Sequence, residues 1–236
     1  MTERRRRSLE REQLCLTIGP SQLVWEDEML TLRLDEVTAP APSRIRGTIR
    51  LRPTALLAET FSLDPEGRHR WRPIAPRARV EVSLSSPSCA WTGDGYFDTN
   101  AGDAPLESAF SAWDWSRTHV NRETLLFYDV QRRGGGLANL AMKVDPQGGI
   151  EPVEAPEPLA LPPTFWRMPR TIRADVRHPP TLDATLEDTP FYSRSALVGG
   201  YGEEGARTVH ESLSLGRLRS PIVRAMLPFR MPRALF

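Results

Sequence analysis

The chain has 236 residues, of which 39% are hydrophobic and 26% charged, as is ordinary for a soluble globular protein of one large or two small domains. Its 31 basic and 30 acidic side chains nearly balance, so bulk charge argues against a nucleic-acid-binding protein. No apolar run is long enough to cross a bilayer, and the basic N-terminus lacks the apolar segment of a signal peptide. We therefore expect a cytoplasmic protein.

The first half of the chain is predicted to form β-strands, because apolar and polar residues alternate in it with a period of two. This alternation runs through residues 30–34, 45–51 and 80–84, and a turn signal at residues 64–67 (DPEG) separates the second run from the third. A period of two places one side of each strand in a core and the other side in water.

The second half is predicted to form two pairs of antiparallel strands. Residues 124–131 and 137–144 flank a segment of arginine and glycine at 132–136, which is typical of a hairpin. A glycine-rich phosphate loop is the weaker alternative, because no helix and no Lys-Ser/Thr pair follow it. Residues 191–199 and 207–215 form the last predicted pair.

Helix is predicted to be scarce. Residues 105–113 could form a short helix, and residues 219–227 are a better candidate, with Pro221 near the start and Pro228 stopping it. The proline-rich segment 152–163 is interpreted as a connection over the surface.

Many short strands separated by turns predict an all-β protein of antiparallel sheets closed into barrels or sandwiches. The length fits two such units. We place the boundary so that residues 1–77 form the first domain and residues 78–236 the second.

Two familiar kinds of catalytic centre are disfavoured by the sequence. The four histidines lack the close spacing of metal ligands, and the two cysteines are expected to be free thiols in a reducing compartment. A Ser-His-Asp triad cannot be judged by spacing alone, but no Gly-x-Ser-x-Gly motif is present. A structural role is preferred for residues 113–117 (WDWSR), as a strand or turn with an Asp–Arg pair outside, and equally for residues 192–194 and 210–212.

One window of the chain combines proton-transfer groups with aromatic rings more densely than any other. On strands, His69 and Trp71 share one face, and so do Tyr96 and Asp98. An acid beside a phenol on an inward face is costly unless it is used or well paired. The pattern leaves two interpretations open: a catalytic site, or a buried polar cluster that holds two strands together.

Around these residues the chain resembles the acyclic carotenoid 1,2-hydratases, also called hydroxyneurosporene synthases. The matching stretches are GRHRWRPIAPRARVEV, WTGDGYFDTNAG-x-x-PLE, WDWSR, LEDTPFYSRS and VHESLSLGRLRSP-x-VRAMLPFRMPR. They extend over most of the chain, from about Ile18 to Arg233. Long runs in one order are more specific than a short motif.

The resemblance implies a hydro-lyase that adds water across the terminal C1=C2 bond of an acyclic carotene such as neurosporene or lycopene. It implies no redox cofactor and no metal, and it assigns functional weight to His69, Trp71, Tyr96 and Asp98. It also implies a fold of two lipocalin-like β-barrels. Family members usually carry another strand-rich segment before the part that matches Met1, so the first barrel is expected to be incomplete.

A mechanism follows from these four residues as a hypothesis. Asp98 would protonate C2 of the alkene, and a low-dielectric pocket would keep its carboxyl protonated, since an ordinary aspartate has a pKa of about 3.9. Trp71 and Tyr96 would face the tertiary cation. His69 would orient the attacking water or hold the Asp98 proton in place.

The expected substrate dissolves in membranes, so we expect peripheral contact with the inner membrane. Residues 219–230 mix apolar side chains with arginine, as a membrane-surface segment does, although a helix that caps a barrel would have the same composition. The alternatives to catalysis are a lipocalin-like carotenoid-binding or lipid-binding protein without chemistry, or an inactive remnant.

Overall fold

The structure of the protein is a computed structural model, which describes residues 4–38, 41–201 and 205–227. Most of the regular structure in these residues is β-strand, and the strand pairs with a defined register are antiparallel. The all-β prediction is confirmed.

The strands and helices of the described residues are numbered in chain order, after a 3-10 turn at Arg6–Ser8. The first strands are β1 (Leu9–Arg11), β2 (Cys15–Ile18), β3 (Ser21–Glu26), β4 (Met29–Val37), β5 (Arg44–Pro53), β6 (Phe61–Ser62), β7 (His69–Ser86) and β8 (Ser88–Gly102). The next are β9 (Phe110–Val120), β10 (Glu123–Arg132), β11 (Leu137–Val144), β12 (Ile150–Pro152), β13 (Pro158–Ala160) and β14 (Thr171–Arg173). The last are β15 (Thr181–Asp188), β16 (Tyr192–Val198) and β17 (Arg207–Ser214), and the helices are α1 (Leu106–Ala109), α2 (Leu215–Leu218) and α3 (Pro221–Met226).

The chain divides into two compact units. Unit 1 consists of residues 1–56, 75–97 and 224–236, and unit 2 consists of residues 57–74 and 98–223. The long strands β7 and β8 each contribute residues to both units. The predicted boundary after residue 77 stays a prediction.

Unit 1 is built on an antiparallel sheet in which β1, β2, β3, β4, β5 and β7 are neighbours in that order. The alternation predicted for residues 80–84 is seen in β7, where Val80 and Val82 are buried while Glu81 and Ser83 are exposed. Strand β4 differs from this prediction. Thr31 is its most buried residue, and the leucines at positions 30, 32 and 34, which alternate with it, are only half-buried.

Unit 2 contains a seven-stranded sheet with the order β12-β11-β10-β9-β17-β16-β15. The predicted hairpin is confirmed, since β10 pairs with β11 along its length, and so is the last strand pair, β16 with β17. Leu197 of β16 forms a core cluster with Ile172 of β14 and with Leu161 and Ala174, which directly follow β13 and β14.

Two local predictions are wrong in part. The helix predicted at residues 105–113 is limited to α1, and the chain from Phe110 onward is β9, which lies between β10 and β17 and pairs with both. A central place in a sheet therefore overrides local helix propensity here. The connection predicted at residues 152–163 contains the short strand β13.

The C-terminal helix is confirmed as α3, which includes Pro221. Pro228 lies outside the described residues. The helices within the described ranges are all too short to cross a membrane.

Candidate active site

His69 and Trp71 lie side by side at the start of β7. Both side chains are buried, while Arg70 between them is exposed, as the period of a strand requires. Strand β6 pairs with this end of β7 and sets Phe61 opposite Trp71. A turn from Asp64 to Gly67 joins the two strands, as the DPEG motif predicts.

The His69 ring is fixed at both of its nitrogens. Nδ1 lies 2.5 Å from Oδ2 of Asp64, and Nε2 lies 3.0 Å from the carbonyl oxygen of Ala104. The ring also meets Phe110 edge to face, with centroids 4.8 Å apart. A carboxylate and a carbonyl oxygen both accept hydrogen bonds, so each ring nitrogen of His69 faces an acceptor.

Asp64 is the buried counterion of His69. Burial by itself raises the pKa of this carboxyl, but the hydrogen bonds from His69 and from the backbone N–H of Arg68 outweigh it and lower the pKa below its ordinary value. Oδ1 accepts the Arg68 N–H at 2.9 Å. The turn before β7 is thus tied to its first residue by a buried ion pair.

Gly102, at the end of β8, makes room for the His69 ring. A Cβ atom at this position would lie 2.8 Å from Cδ2 of His69. The absence of a side chain therefore allows the backbone next to Ala104 to approach the imidazole.

Trp71 and Asp98 are joined directly. The indole Nε1–H of Trp71 donates to Oδ2 of Asp98 at 2.8 Å, although 27 residues separate the two along the chain. Trp71 is completely buried and Asp98 is half-buried. Two of the four residues that the sequence predicted for the site therefore form a contact between their functional groups.

Further aromatic rings pack against Trp71. The ring of Tyr128, from β10, lies edge to face against Trp71 with centroids 5.3 Å apart, and Trp113 of β9 meets Tyr128 at 6.1 Å in the same manner. Phe61 lies on another side of Trp71, 5.9 Å away. Edge-to-face pairs of this kind stabilise a cluster by about 0.5–1.5 kcal/mol each beyond their burial.

Tyr128 is an almost fully buried phenol close to acids. Burial chiefly, and then the carboxylates of Asp98 and Glu211, raise its pKa above the ordinary value. The hydroxyl therefore keeps its proton at neutral pH and can serve as a hydrogen-bond donor.

Tyr96 lies on β8, in the part of that strand that belongs to unit 1, and its side chain is half-buried. Its participation in the site stays a prediction. The neighbouring Gly95 is explained by packing within unit 1, since a Cβ there would lie 2.3 Å from Cγ2 of Val80.

A second buried polar cluster occupies another part of unit 2. Asp114 of β9 accepts hydrogen bonds from the hydroxyls of Ser212 and Thr171, and Nε2 of His210 donates to the carbonyl oxygen of Thr171 at 2.8 Å. The sequence predicted an Asp–Arg pair at residues 113–117, whereas the hydrogen bonds to the Asp114 carboxyl come from Thr171 and Ser212.

The pKa of the aspartate is shifted in opposite directions in the two clusters, downward for Asp64 and upward for Asp114. Burial raises the pKa of Asp114 despite its hydrogen bonds, and burial lowers the pKa of His210 to about 4. The imidazole is therefore neutral, and the described residues offer its Nδ1 no hydrogen-bond partner. The cleft beside Asp114 and His210 has no room for a water-sized sphere, so a polyene chain does not fit there.

Sequence reasoning missed Asp64 and Tyr128. Asp64 carried a usable signal, because an acid that opens a turn five residues before a buried histidine can fold back onto it. Tyr128 carried only the presence of one phenol next to the apolar residues of β10.

Solved structures share this fold. An AttH candidate protein from Nitrosomonas europaea superposes with a TM-score of 0.59 at 12% identity, over 88% of this chain and 72% of that one. CghA crystallised with Sch210972 superposes with a TM-score of 0.52 at 11% identity, over 87% of this chain and 69% of that one. The protein is thus a lipocalin-like antiparallel β-protein that holds an acid within a group of aromatic rings.

Sequence comparison narrows this class to one family. The family model of the carotenoid hydratase CrtC matches residues 1–235, and the chain belongs to this family. It is 48% identical to the acyclic carotenoid 1,2-hydratase of Thiocapsa roseopersicina and 45% identical to that of Rubrivivax gelatinosus, with 99% of this chain aligned. The identity to the enzyme of Rhodobacter capsulatus is 37%.

The chain spans 58% of the length of the first two relatives and 83% of the third.

Proposed function

We propose that this protein is a hydro-lyase that adds water across the terminal C1=C2 bond of an acyclic carotene such as neurosporene or lycopene. The relatives that align with 99% of the chain are named acyclic carotenoid 1,2-hydratases. The observation that carries the proposal is the hydrogen bond between Trp71 and the Asp98 carboxyl inside an aromatic cluster.

The reaction needs an acid before it needs a nucleophile. An isolated trisubstituted alkene accepts a proton at C2, which leaves a tertiary cation at C1. Water then forms the C1–O bond, and the proton that it releases restores the acid. No oxidation state changes overall, so the chemistry calls for no redox cofactor.

Asp98 is the proposed acid. Trp71 donates to Oδ2, and in a protonated carboxyl the oxygen that accepts is the carbonyl oxygen. The proton that Asp98 delivers is then carried on Oδ1. General acid catalysis of this kind contributes about 10²–10⁴-fold in rate.

The rings beside Asp98 suit a developing cation. Trp71 and Tyr128 would present π-electron density near C1 and exclude bulk water, and Tyr96 is proposed to face the same cation. Cation–π contacts contribute about 0.5–2 kcal/mol each, so they assist the acid and do not replace it.

We propose a positioning role for His69. Both of its ring nitrogens are already engaged, by Asp64 and by the carbonyl of Ala104, which leaves neither nitrogen for an attacking water in this structure. The ion pair instead fixes the start of β7, two residues before Trp71. His69 then acts on the reaction through the placement of the indole that binds Asp98.

A carotene substrate partitions into membranes, so the protein is proposed to work in peripheral contact with a bilayer on the cytoplasmic side. Nucleic acid has no part in this function.

The test is direct. Purified protein is incubated with lycopene dispersed in detergent, and the extracted pigment is analysed by mass spectrometry. The proposal predicts a product heavier by one water, which the Asp98→Asn variant fails to form. Recovery of unchanged lycopene in a stable complex would instead identify a carotenoid-binding protein, and recovery without binding would indicate an inactive remnant.

A further inference from the structure

A loop of unit 2, residues 162–170, carries two aromatic side chains into solvent. Phe165 is 86% exposed and Trp166 is 40% exposed, and their rings meet edge to face with centroids 5.6 Å apart. The neighbouring Thr164 and Met168 are buried and anchor the loop on both sides. We call residues 162–170 the Phe165 loop.

The backbone of the Phe165 loop is held by hydrogen bonds from outside it. Arg217 of α2 donates from Nη1 to the carbonyl oxygen of Trp166 and from Nη2 to that of Arg167, each at 2.8 Å. The backbone N–H of Phe165 donates to Oδ2 of Asp188 at 2.8 Å. The rings are therefore presented by a fixed backbone, and their exposure does not result from loose chain.

Inside the loop, the first residues form a tight turn. The backbone N–H of Arg167 donates to the carbonyl oxygen of Thr164 at 2.8 Å, and Oγ1 of Thr164 accepts the N–H of Met168 at 3.3 Å. Arg167 itself has a positive φ of 51°. The left-handed backbone conformation is unfavourable for arginine, and these hydrogen bonds hold Arg167 in it.

The charge beside the rings is positive. Arg167 is exposed directly after Trp166, and the guanidinium of Arg217 lies against the same carbonyl groups. The nearest acid of the hydrogen-bond network, Asp188, is half-buried and binds the loop backbone. Exposed aromatic rings next to arginine match the interface of an anionic bilayer, where rings enter the boundary and cations meet phosphate.

The size of the patch decides between a bilayer and a protein partner. Two aromatic side chains bury at most about 150–250 Å² each. A stable protein interface needs roughly 800 Å² from each partner. A bilayer needs no complementary surface, because lipid chains adapt to any inserted ring.

We propose that the Phe165 loop inserts its two rings into the boundary between headgroups and acyl chains of an anionic phospholipid bilayer. The inference rests on the proposed function, since a carotene substrate is what brings the protein to a membrane. It assigns the contact to a loop that the sequence did not single out.

The experiment measures sedimentation of the full chain with vesicles of phosphatidylcholine in which about a quarter of the lipid is phosphatidylglycerol. We expect the double variant Phe165→Ser, Trp166→Ser to bind at least about tenfold more weakly than the unchanged protein. Arg167→Gln should weaken binding by about fivefold on these vesicles and have little effect on pure phosphatidylcholine. The matched control is Trp91→Ser, which removes a tryptophan that is 52% exposed in unit 1 and should leave binding unchanged.

Three results would overturn the proposal: no binding of the unchanged protein, equal binding of the double variant, or an equal loss in the Trp91 variant. A dimer in sedimentation velocity that the double variant abolishes would assign the loop to contact between copies of the chain. Hydration of lycopene in detergent is measured for the same proteins. If the double variant still hydrates lycopene but no longer binds vesicles, the membrane role of the Phe165 loop is supported. If the unchanged protein binds vesicles but none of the proteins hydrates lycopene, the proposed function is refuted and the role of the loop is not.

Discussion

Two pairs of an aspartate and a buried histidine in unit 2 differ in the contacts of the histidine ring. Nδ1 of His69 lies 2.5 Å from Oδ2 of Asp64, and Nε2 lies 3.0 Å from a carbonyl oxygen. Asp114 and His210 are 3.7 Å apart, and His210 is a neutral imidazole that donates to a carbonyl oxygen. The partners of the two rings also differ, since both nitrogens of His69 face an acceptor, whereas the described residues offer Nδ1 of His210 no hydrogen-bond partner.

A comparison of Asp114 with Asp98 shows that a shifted pKa is not enough to identify a catalytic acid. Asp114 has the raised pKa expected of a general acid, but its hydrogen bonds come from two hydroxyls and the cleft beside it has no room for a substrate. Asp98 lies instead beside Trp71 in a cluster of rings. We therefore propose the chemistry for Asp98 and a structural role for Asp114.

The largest expected effect contrasts the two acids. Asp98→Asn should lower hydratase activity by about a thousandfold, because the amide cannot donate the proton to C2. Asp114→Asn should remain within about fivefold of the unchanged protein, since it only alters packing. Turnover of lycopene by folded variants checks both, and a thousandfold loss at Asp114 with none at Asp98 would exchange their roles.

Removal of Asp64 should mainly affect stability. Asp64→Ala leaves the buried His69 ring without its carboxylate partner, and we expect a loss of about 3 kcal/mol in the free energy of unfolding. The lowered pKa of Asp64 means that its contribution is present above the unfolded value of 3.8 and is lost as pH falls through the folded pKa.

Urea unfolding at neutral and acidic pH measures this contribution. The His69→Gln, Asp64→Asn double variant is the control, because it keeps hydrogen-bonding groups without a net charge. An unfolding free energy of Asp64→Ala equal to that of the unchanged protein would show that the ion pair does not stabilise the turn.

Trp71→Phe tests the link between the indole and the acid. The variant keeps an aromatic ring but loses the donor to Asp98, and a hydrogen bond to a charged or strongly polar group is worth about 1.5–3 kcal/mol. We expect kcat to fall by about ten- to a hundredfold and the pH profile of activity to move. Phe61→Leu is the matched control, since it removes a ring from the same indole without touching the carboxyl.

The second pair predicts a stability change in a different pH window. The folded pKa of His210 is lowered from 6.5 to about 4, so its neutral form stabilises the fold above pH 6.5 and this contribution is lost as pH falls toward 4. Between about pH 7 and pH 5 the loss is about 2 kcal/mol. The raised pKa of Asp114 acts in the opposite direction.

The His210→Asn variant isolates the histidine, because it retains Asp114. The difference in unfolding free energy between the protein and this variant should shrink as pH falls. A difference that stays constant from about pH 7 to pH 5 would contradict the neutral assignment.

The smallest expected effect concerns Tyr128. Tyr128→Phe keeps the ring against Trp71 and should change kcat by less than about threefold, whereas Tyr128→Leu removes two edge-to-face pairs and should lower kcat by about tenfold. Turnover measured on both variants distinguishes the ring from the hydroxyl. Equal losses in the two variants would assign the effect to the hydroxyl near Asp98.

Much of the fold could be predicted from the sequence, because strand periodicity and glycine turns are local signals. The hairpin of β10 and β11 was predicted in this way and is confirmed, whereas the site role of the pairs His69/Trp71 and Tyr96/Asp98 stays a prediction. Long-range partners carry no such signal. Tyr128 of β10 reaches Trp71 of β7, which lies far from it in the sequence. The start of β9 was mistaken in part for a helix, and one of the two strands that hold it in the sheet, β17, is distant in sequence.

The most direct test of the central claim is hydration of lycopene in deuterium oxide. If Asp98 delivers a proton from solvent to C2 and water captures C1, the product carries one carbon-bound deuterium at C2, and the Asp98→Asn variant forms it about a thousandfold more slowly. A hydrated product without deuterium on carbon, or equal rates for the two proteins, would contradict the account.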